Sequence, residues 1–121
     1  MNAEPALTEL LEVSPQIRAA VIAERPGALL ASSYPSGDDR GRHLAELADR
    51  MLDEADEARA QLGREPVVQL EIATPDGSVF VVSDGHHTVL AATDDEPTVG
   101  LVFYDLKTVL RSLRTPEGAD R

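Results

Sequence analysis

The chain has 121 residues, of which 42% are hydrophobic and 27% charged, a balance typical of one globular domain. Its 11 basic and 22 acidic residues give a formal net charge of -11, which disfavours nucleic acid and anionic membranes as partners. Cysteine is absent, which excludes disulfides and cysteine nucleophiles and agrees with an expected cytoplasmic location. We find neither an apolar run of about 18 residues nor a signal-peptide pattern, so no membrane-spanning segment is expected.

The first third of the sequence predicts a helix followed by a β-hairpin. The segment PALTELLEV places leucines on one side of a helix, beginning with a proline suited to a first turn. Two short apolar runs, IRAAVIAE and ALLASS, then flank the turn signal Pro26-Gly27 and predict the hairpin. The polar stretch SGDDRGR predicts a loop, with Asp38 or Asp39 as the candidate cap of the next helix.

The clearest helix is predicted from about residue 40 to residue 62. On a helical wheel, Leu52 and Ala45 lie about 80° and 100° from Leu44, beyond the central apolar stripe, and widen the apolar sector to about 160°. Because covering one sheet requires only about 100°, the excess predicts contact with a second body. The stripe itself consists of apolar residues at helical spacing: Leu44, Leu47, Ala48, Met51, Ala55, Ala58 and Leu62.

Three strands and a last helix are predicted after Gly63, which is a natural helix C-cap. VVQLEIAT alternates, with Val68, Leu70 and Ile72 on one side, and predicts a half-buried strand. SVFVVS is apolar at four successive positions and predicts a central strand covered on both faces, and TVLAAT predicts its neighbour. Apolar residues at helical spacing between residues 99 and 113 predict the final helix.

The order α-β-β-α-β-β-β-α predicts an α/β (α+β) three-layer sandwich around a five-stranded antiparallel sheet. The long helix is expected on one face of the sheet, and the first and last helices on the other. The strand that begins at Val67 follows a long crossover and is expected at a sheet edge, and such edges are either protected or paired. We expect one domain over residues 1–121, with its core from about residue 5 to 114 and a polar tail from 115 to 121.

The sequence contains neither a phosphate-binding loop nor a nucleophile elbow, so no catalytic residue and no cofactor is predicted. Asp84, His86 and His87 could hold a metal only in a distorted loop, because neighbouring strand residues point to opposite faces. Solvent-exposed turn histidines are the simpler interpretation. The acidic run at residues 94–96 could bind a hard cation, but more simply complements the start of the last helix. The acidic side of the long helix is interpreted as a solvated face or a partner-docking surface.

Three segments together resemble Roadblock/dynein light-chain domains, especially the small bacterial ones: LLEVSPQIRAAVIAERPGALLASS, SVFVVSDGHHTVLAAT and VGLVFYDLKTVLRSL. The resemblance covers about residues 6 to 114. It implies a profilin-like fold and a non-enzymatic homodimeric adaptor that binds a small Ras-like GTPase in a bacterial signalling module. The sequence departs from the family pattern at Arg25-Pro26-Gly27, where an Asp-Gly turn is usual, and in the short loop before the long helix.

The resemblance also implies that the homodimer pairs through the long helix and the strand after it. The wheel and the crossover single out the same two elements. The predicted dimer interface consists of residues from these elements: Ala45, Leu52, Asp56, Arg59, Val67, Gln69 and Glu71. Two alternatives stay open, a small-molecule sensor domain on a related sandwich and a metal-dependent enzyme built on Asp84, His86 and His87.

Overall fold

The computed structural model describes residues 3–63 and 69–114, which form three helices and five strands in the predicted order. In chain order these are α1 (Ala3–Val13), β1 (Ile17–Glu24), β2 (Ala28–Ser32), α2 (Arg40–Gln61), β3 (Gln69–Thr74), β4 (Gly77–Ser83), β5 (His87–Asp94) and α3 (Val99–Arg114). Two residues of the predicted third strand, Val67 and Val68, and the predicted polar tail lie outside the described residues.

All five strands pair antiparallel in the order β2-β1-β5-β4-β3. Among residues 3–63 and 69–114, β3 pairs with β4 alone and stands at an edge of the sheet, which confirms the expectation from the crossover. β4 is buried from Phe80 to Ser83, as its continuous apolar sequence predicted. β3 is more exposed than predicted, with Leu70 half-buried and Ile72 41% exposed, because no helix covers that edge closely.

The helices lie on the two faces of the sheet as predicted, α1 and α3 on one side and α2 on the other. Alternation along β4 sends Phe80 and Val82 to the α1–α3 side and Val81 to the α2 side. Phe80 meets Phe103 of α3 edge-to-face with ring centroids 5.0 Å apart, an arrangement that aromatic pairs prefer. Each large side chain buried in these layers contributes about 1.5–3 kcal/mol to folding.

Both ends of α2 are defined by the residues around them. Asp39 stands at the cap position without a side-chain cap bond, and Asp38 instead accepts the backbone N–H of Arg40 at 2.9 Å. The Arg40 side chain also donates to Asp38, and these bonds lower the pKa of that carboxyl to about 2. At the other end Gly63 adopts φ +70° and donates to the carbonyl of Ala60, the conformation that favours glycine after a helix.

The orientation of α2 about its own axis differs from the sequence prediction. Ala45 and Leu52 are 1% and 0% exposed, so the prediction that these two side chains project beyond the sheet-covering stripe is wrong. Leu47, which was expected at the margin of the buried stripe, is 39% exposed. Part of the reason is a close approach at Gly41, where an added Cβ would lie 2.8 Å from Cβ of Ser32 in β2. Only a glycine lets the helix begin this near the strand.

Candidate protein interface

Arg25, the first residue after β1, reaches across to α2 and binds three aspartates there. Its guanidinium donates to Asp49 (Nε to Oδ1, 2.8 Å) and to Asp53 (Nη2 to Oδ1, 2.6 Å). Its Nη1 lies 3.8 Å from Oδ2 of Asp56. The side chains of Arg25 and Asp49 are only 18% and 11% exposed, so their pair is largely withdrawn from water and its charged hydrogen bond is correspondingly strong.

The environment of Arg25 favours its charged form. Burial alone would lower the pKa of the guanidinium, but the hydrogen bond to Asp49 and the charges of Asp49, Asp53 and Asp56 outweigh it and raise the pKa above its usual value. The turn that follows packs on the same helix, because a Cβ added at Gly27 would lie 3.6 Å from Cα of Glu46. Gly27 adopts φ +122°, a conformation that side chains rarely accept. One flank of α2 is therefore fixed to the β1–β2 hairpin.

The other flank of α2 carries the part-exposed apolar residues and faces the β3 edge. Leu44 and Met51 of α2 pack against the same buried cluster as Leu70 of β3 and Val79 of β4. The main contacts of α2 are with β1, β2 and β5, so on its side of the sheet Val79 of β4 and Leu70 and Ile72 of β3 are only partly covered. A shallow apolar region thus runs from α2 across to the sheet edge.

We call this region the α2–β3 surface. Its members are apolar and half-buried or exposed: Leu44, Leu47, Met51, Ala55, Ala58 and Leu62 of α2, Leu70 and Ile72 of β3, and Val79 of β4. Leu62 is 71% exposed and Ile72 41%. Beside it, the main chain of β3 pairs on one side only within the part of the chain that the structure describes, which leaves an open row of peptide groups there. An apolar surface next to an open strand edge is suited to pairing with another polypeptide.

The predicted interface residues do not lie together. Ala45 and Leu52 are inside the core, and Asp56 is turned toward Arg25 on the opposite flank of α2. Arg59 is exposed near the end of α2. Gln69 and Glu71 are exposed on β3, on the α1–α3 side of the sheet, because their direct cross-strand partners Val82 and Phe80 point that way. Val67 lies outside the described residues, and the role of Gln69 and Glu71 in a dimer stays a prediction.

The sequence analysis missed the Arg25 cluster. Asp49, Asp53 and Asp56 follow a spacing of i, i+4 and i+7, which aligns carboxylates along one side of a helix. This spacing was the available signal. It indicates a row of aligned carboxylates on the helix, but it does not indicate that Arg25 binds them.

The turn between β4 and β5 is organised by Asp84, whose Oδ1 accepts the backbone N–H groups of His86 (2.9 Å) and His87 (2.8 Å). The interpretation of two solvent-exposed histidines is wrong for His87, which is 8% exposed. Across residues 3–63 and 69–114, no group of three or more His, Cys, Asp or Glu is arranged to hold a metal ion.

Asp94, in the acidic run, accepts a hydrogen bond from Nε of Arg18 at 2.6 Å. In the same ranges no helix is long and apolar enough to cross a membrane.

The layers, the antiparallel sheet and its helices define a profilin-like α/β sandwich. A family model of the Roadblock/LC7 domain matches residues 5–94, most of the chain, and the chain belongs to this family. The resemblance seen in the sequence is thereby confirmed. No curated protein matches the chain significantly in sequence.

Solved structures show the same fold at low identity. A Roadblock/LC7 domain from Streptomyces avermitilis is 17% identical, with a TM-score of 0.84 over 94% of this chain and 96% of that one. An MglB described as having a tetrameric arrangement is 21% identical, with a TM-score of 0.78 over 92% and 84%. The gliding protein MglB from Thermus thermophilus is 20% identical, with a TM-score of 0.74 over 88% and 82%.

Proposed function

We propose that this chain is a non-enzymatic homodimeric adaptor that binds a small Ras-like GTPase in a bacterial signalling module. Membership of the Roadblock/LC7 family supports this function, which the sequence resemblance implies. The similarity to an MglB with a tetrameric arrangement supports self-association.

The observation that carries the proposal is the α2–β3 surface beside the open edge of β3. A second copy related by a twofold axis would pair β3 with β3 and bring the two α2 helices together. Each large apolar side chain buried in this way would contribute about 1.5–3 kcal/mol, and the paired strands would add main-chain hydrogen bonds. The proposed dimer uses the two elements that the sequence predicted. On α2, however, the contacts come from the residues of the α2–β3 surface rather than from Ala45 and Leu52.

The charge distribution of α2 is compatible with two copies meeting along this surface. The chain carries a formal net charge of -11, so a homodimer must keep its carboxylates away from the axis or pair them. Arg25 holds Asp49, Asp53 and Asp56 on the opposite flank of α2 and offsets part of their charge. The strip that faces the axis in the proposed dimer is accordingly apolar.

The homodimer is tested by sedimentation velocity at tens of micromolar protein. The wild type is expected to sediment as a dimer, and Leu47→Asp as a folded monomer, because its new carboxylates would face each other near the axis. Leu101→Asp is the matched control, since Leu101 is 49% exposed on α3 and Leu47 is 39% exposed on α2. A monomeric wild type, or equal effects of the two variants, would contradict the proposed dimer.

The GTPase function is tested with purified bacterial Ras-like GTPases loaded with a GTP analogue or with GDP. We expect the chain to bind such a GTPase, with an on-rate that falls between about 0.05 and 0.15 M salt because of its acidic surface. Calorimetric titration of the chain alone with GTP and with ATP is expected to show no binding. Micromolar binding of either nucleotide, or absence of GTPase binding across a broad panel, would contradict the function.

A further inference from the structure

On the face of the sheet opposite α2, a groove runs between α1 and α3. It encloses about 310 Å³, at the lower end of the range of ligand pockets. Its floor is formed by core residues, including Leu10 and Val109, which are 1% and 7% exposed. Val13 of α1 and Tyr104 of α3 line it and are 61% and 62% exposed. Two large side chains thus stand open to solvent beside a depression with an apolar floor.

The polar side chains that line the groove carry two carboxylates and three hydroxyls: Glu9, Asp105, Tyr104, Thr108 and Ser112. The hydroxyl of Thr108 donates to the carbonyl of Tyr104 at 2.9 Å, and that of Ser112 to the carbonyl of Val109 at 2.7 Å. These hydroxyl protons are therefore used within α3. Glu9 and Asp105 also line the groove. Within residues 3–63 and 69–114, neither carboxylate forms a hydrogen bond or ion pair.

The surroundings extend this negative charge. Glu4 and Glu12 lie on the outer side of α1, together with Glu9 and Val13. The cations on α3 include Arg111, which donates to the hydroxyl of Thr108 at 3.3 Å, and Lys107, whose Nζ lies 6.0 Å from the centre of the Phe103 ring. The four carboxylates outnumber Lys107 and Arg111, so the net charge around the groove is negative and a positively charged partner complements it.

We propose that the α1–α3 groove binds a short basic amphipathic segment of a protein partner. An apolar side chain of that segment packs between Val13 and Tyr104, and its lysines or arginines face Glu9 and Asp105. An amphipathic helix laid into a groove presents this combination of an apolar stripe and charged flanks. A second copy of this acidic chain and an anionic membrane carry the wrong charge for the site. Because the groove and α2 lie on opposite faces of the sheet, this binding does not depend on the proposed dimer.

The probe is a fluorescein-labelled amphipathic peptide of about 14 residues, near the length at which isolated helices become stable. It carries leucines at i and i+4 and lysines on the flanking positions. Fluorescence anisotropy is expected to give a Kd of about 1 to 50 µM for the wild type. A peptide of the same composition with scrambled order is expected to bind at least about tenfold more weakly, because it loses the apolar stripe.

Variants of the chain locate the binding. Glu9→Lys combined with Asp105→Lys is expected to weaken peptide binding at least about tenfold, and Tyr104→Ser to weaken it similarly. Glu46→Lys combined with Glu57→Lys makes the same change in net charge on exposed positions of α2, and is expected to change the Kd by less than about threefold. Leu47→Asp, which tests the dimer, is expected to leave peptide binding unchanged.

Three outcomes would overturn the proposal. Equal losses in the two charge-reversal pairs would mean that the peptide follows net charge rather than the groove. Equal affinity for the ordered and scrambled peptides would exclude an apolar anchor. A change in sedimentation caused by Tyr104→Ser would assign the groove to a contact between copies of this chain.

Discussion

The two flanks of α2 differ in how the fold uses them. On one flank, Arg25 binds Asp49 and Asp53 of α2 and approaches Asp56, and the β1–β2 turn packs against the helix at Gly27. On the other flank, leucine, methionine and alanine side chains are left half-buried or exposed beside an edge strand. The aspartates of the charged flank therefore find their partner inside the monomer, whereas the side chains of the apolar flank are left partly exposed to solvent.

Two positions on these flanks depart from the usual expectation that charged helix residues meet solvent and apolar ones the core. Asp49 is charged and yet only 8% exposed. Its carboxylate can be buried because Arg25, at the neighbouring hairpin, donates a hydrogen bond to it. Leucine at position 62 is 71% exposed. Residue type alone consequently misassigns which side of this helix is available to a partner.

The largest expected effect comes from Leu52→Asp. Leu52 is 0% exposed and packs with Val21, Val81 and Leu90, so an aspartate there buries a charge without a partner. We expect a loss of about 4–5 kcal/mol in the free energy of unfolding. The melting temperature, followed by circular dichroism, should fall by roughly 15–25 °C.

Leu101→Asp is the control for this substitution, because Leu101 is exposed on α3 and outside the dimer surface. We expect its free energy of unfolding to change by no more than about 0.5 kcal/mol. If Leu52→Asp instead folded as stably as this control and changed only the oligomeric state, Leu52 would belong to the open flank and the orientation of α2 would have to be revised.

The next effect in size is the loss of the Arg25 cluster. Arg25→Ala leaves the largely buried carboxylate of Asp49 without its cation, and we expect it to cost about 2–3 kcal/mol in urea denaturation at neutral pH. Asp53→Ala removes a partner that is 66% exposed, and we expect a cost of no more than about 0.5 kcal/mol. Similar losses of unfolding free energy in the two variants would show that the Arg25 cluster is a solvent-exposed surface contact.

The smallest expected effect concerns the start of α2, where both flanks begin. The folded protein holds the pKa of Asp38 at about 2, below its ordinary 3.8, through hydrogen bonds from Arg40. A lowered folded-state pKa contributes stability that is fully present above pH 3.8 and is lost as the pH falls toward 2. The urea midpoints of wild type and Asp38→Asn should therefore differ at neutral pH and converge over that range. A difference between the two urea midpoints that stayed constant at every pH would contradict a stabilising role for the Asp38 carboxylate.

Much of the fold was predictable from local signals. The turn signal Pro26-Gly27 and the C-cap Gly63 marked element boundaries, the continuous apolar residues of β4 predicted a central strand, and the long crossover before β3 predicted an edge strand. Of the candidate interface, the sequence predicted the correct two elements for the proposal but not the residues on α2. An apolar sector of about 160° is wider than one sheet requires, so several rotations of the helix satisfied the pattern equally well.

The sequence by itself determined the order of the elements and the antiparallel sheet, because these follow from periodicity and turn chemistry over neighbouring residues. The long crossover before β3 also indicated its position at a sheet edge. Only the tertiary structure decided which flank of α2 stays open. That decision depends on Arg25 meeting aspartates 24 to 31 positions further along the chain, and on the approach of Gly41 to β2. Periodicity records which residues share a side of a helix, whereas the rotation of that helix is set by partners that come close only when the chain folds.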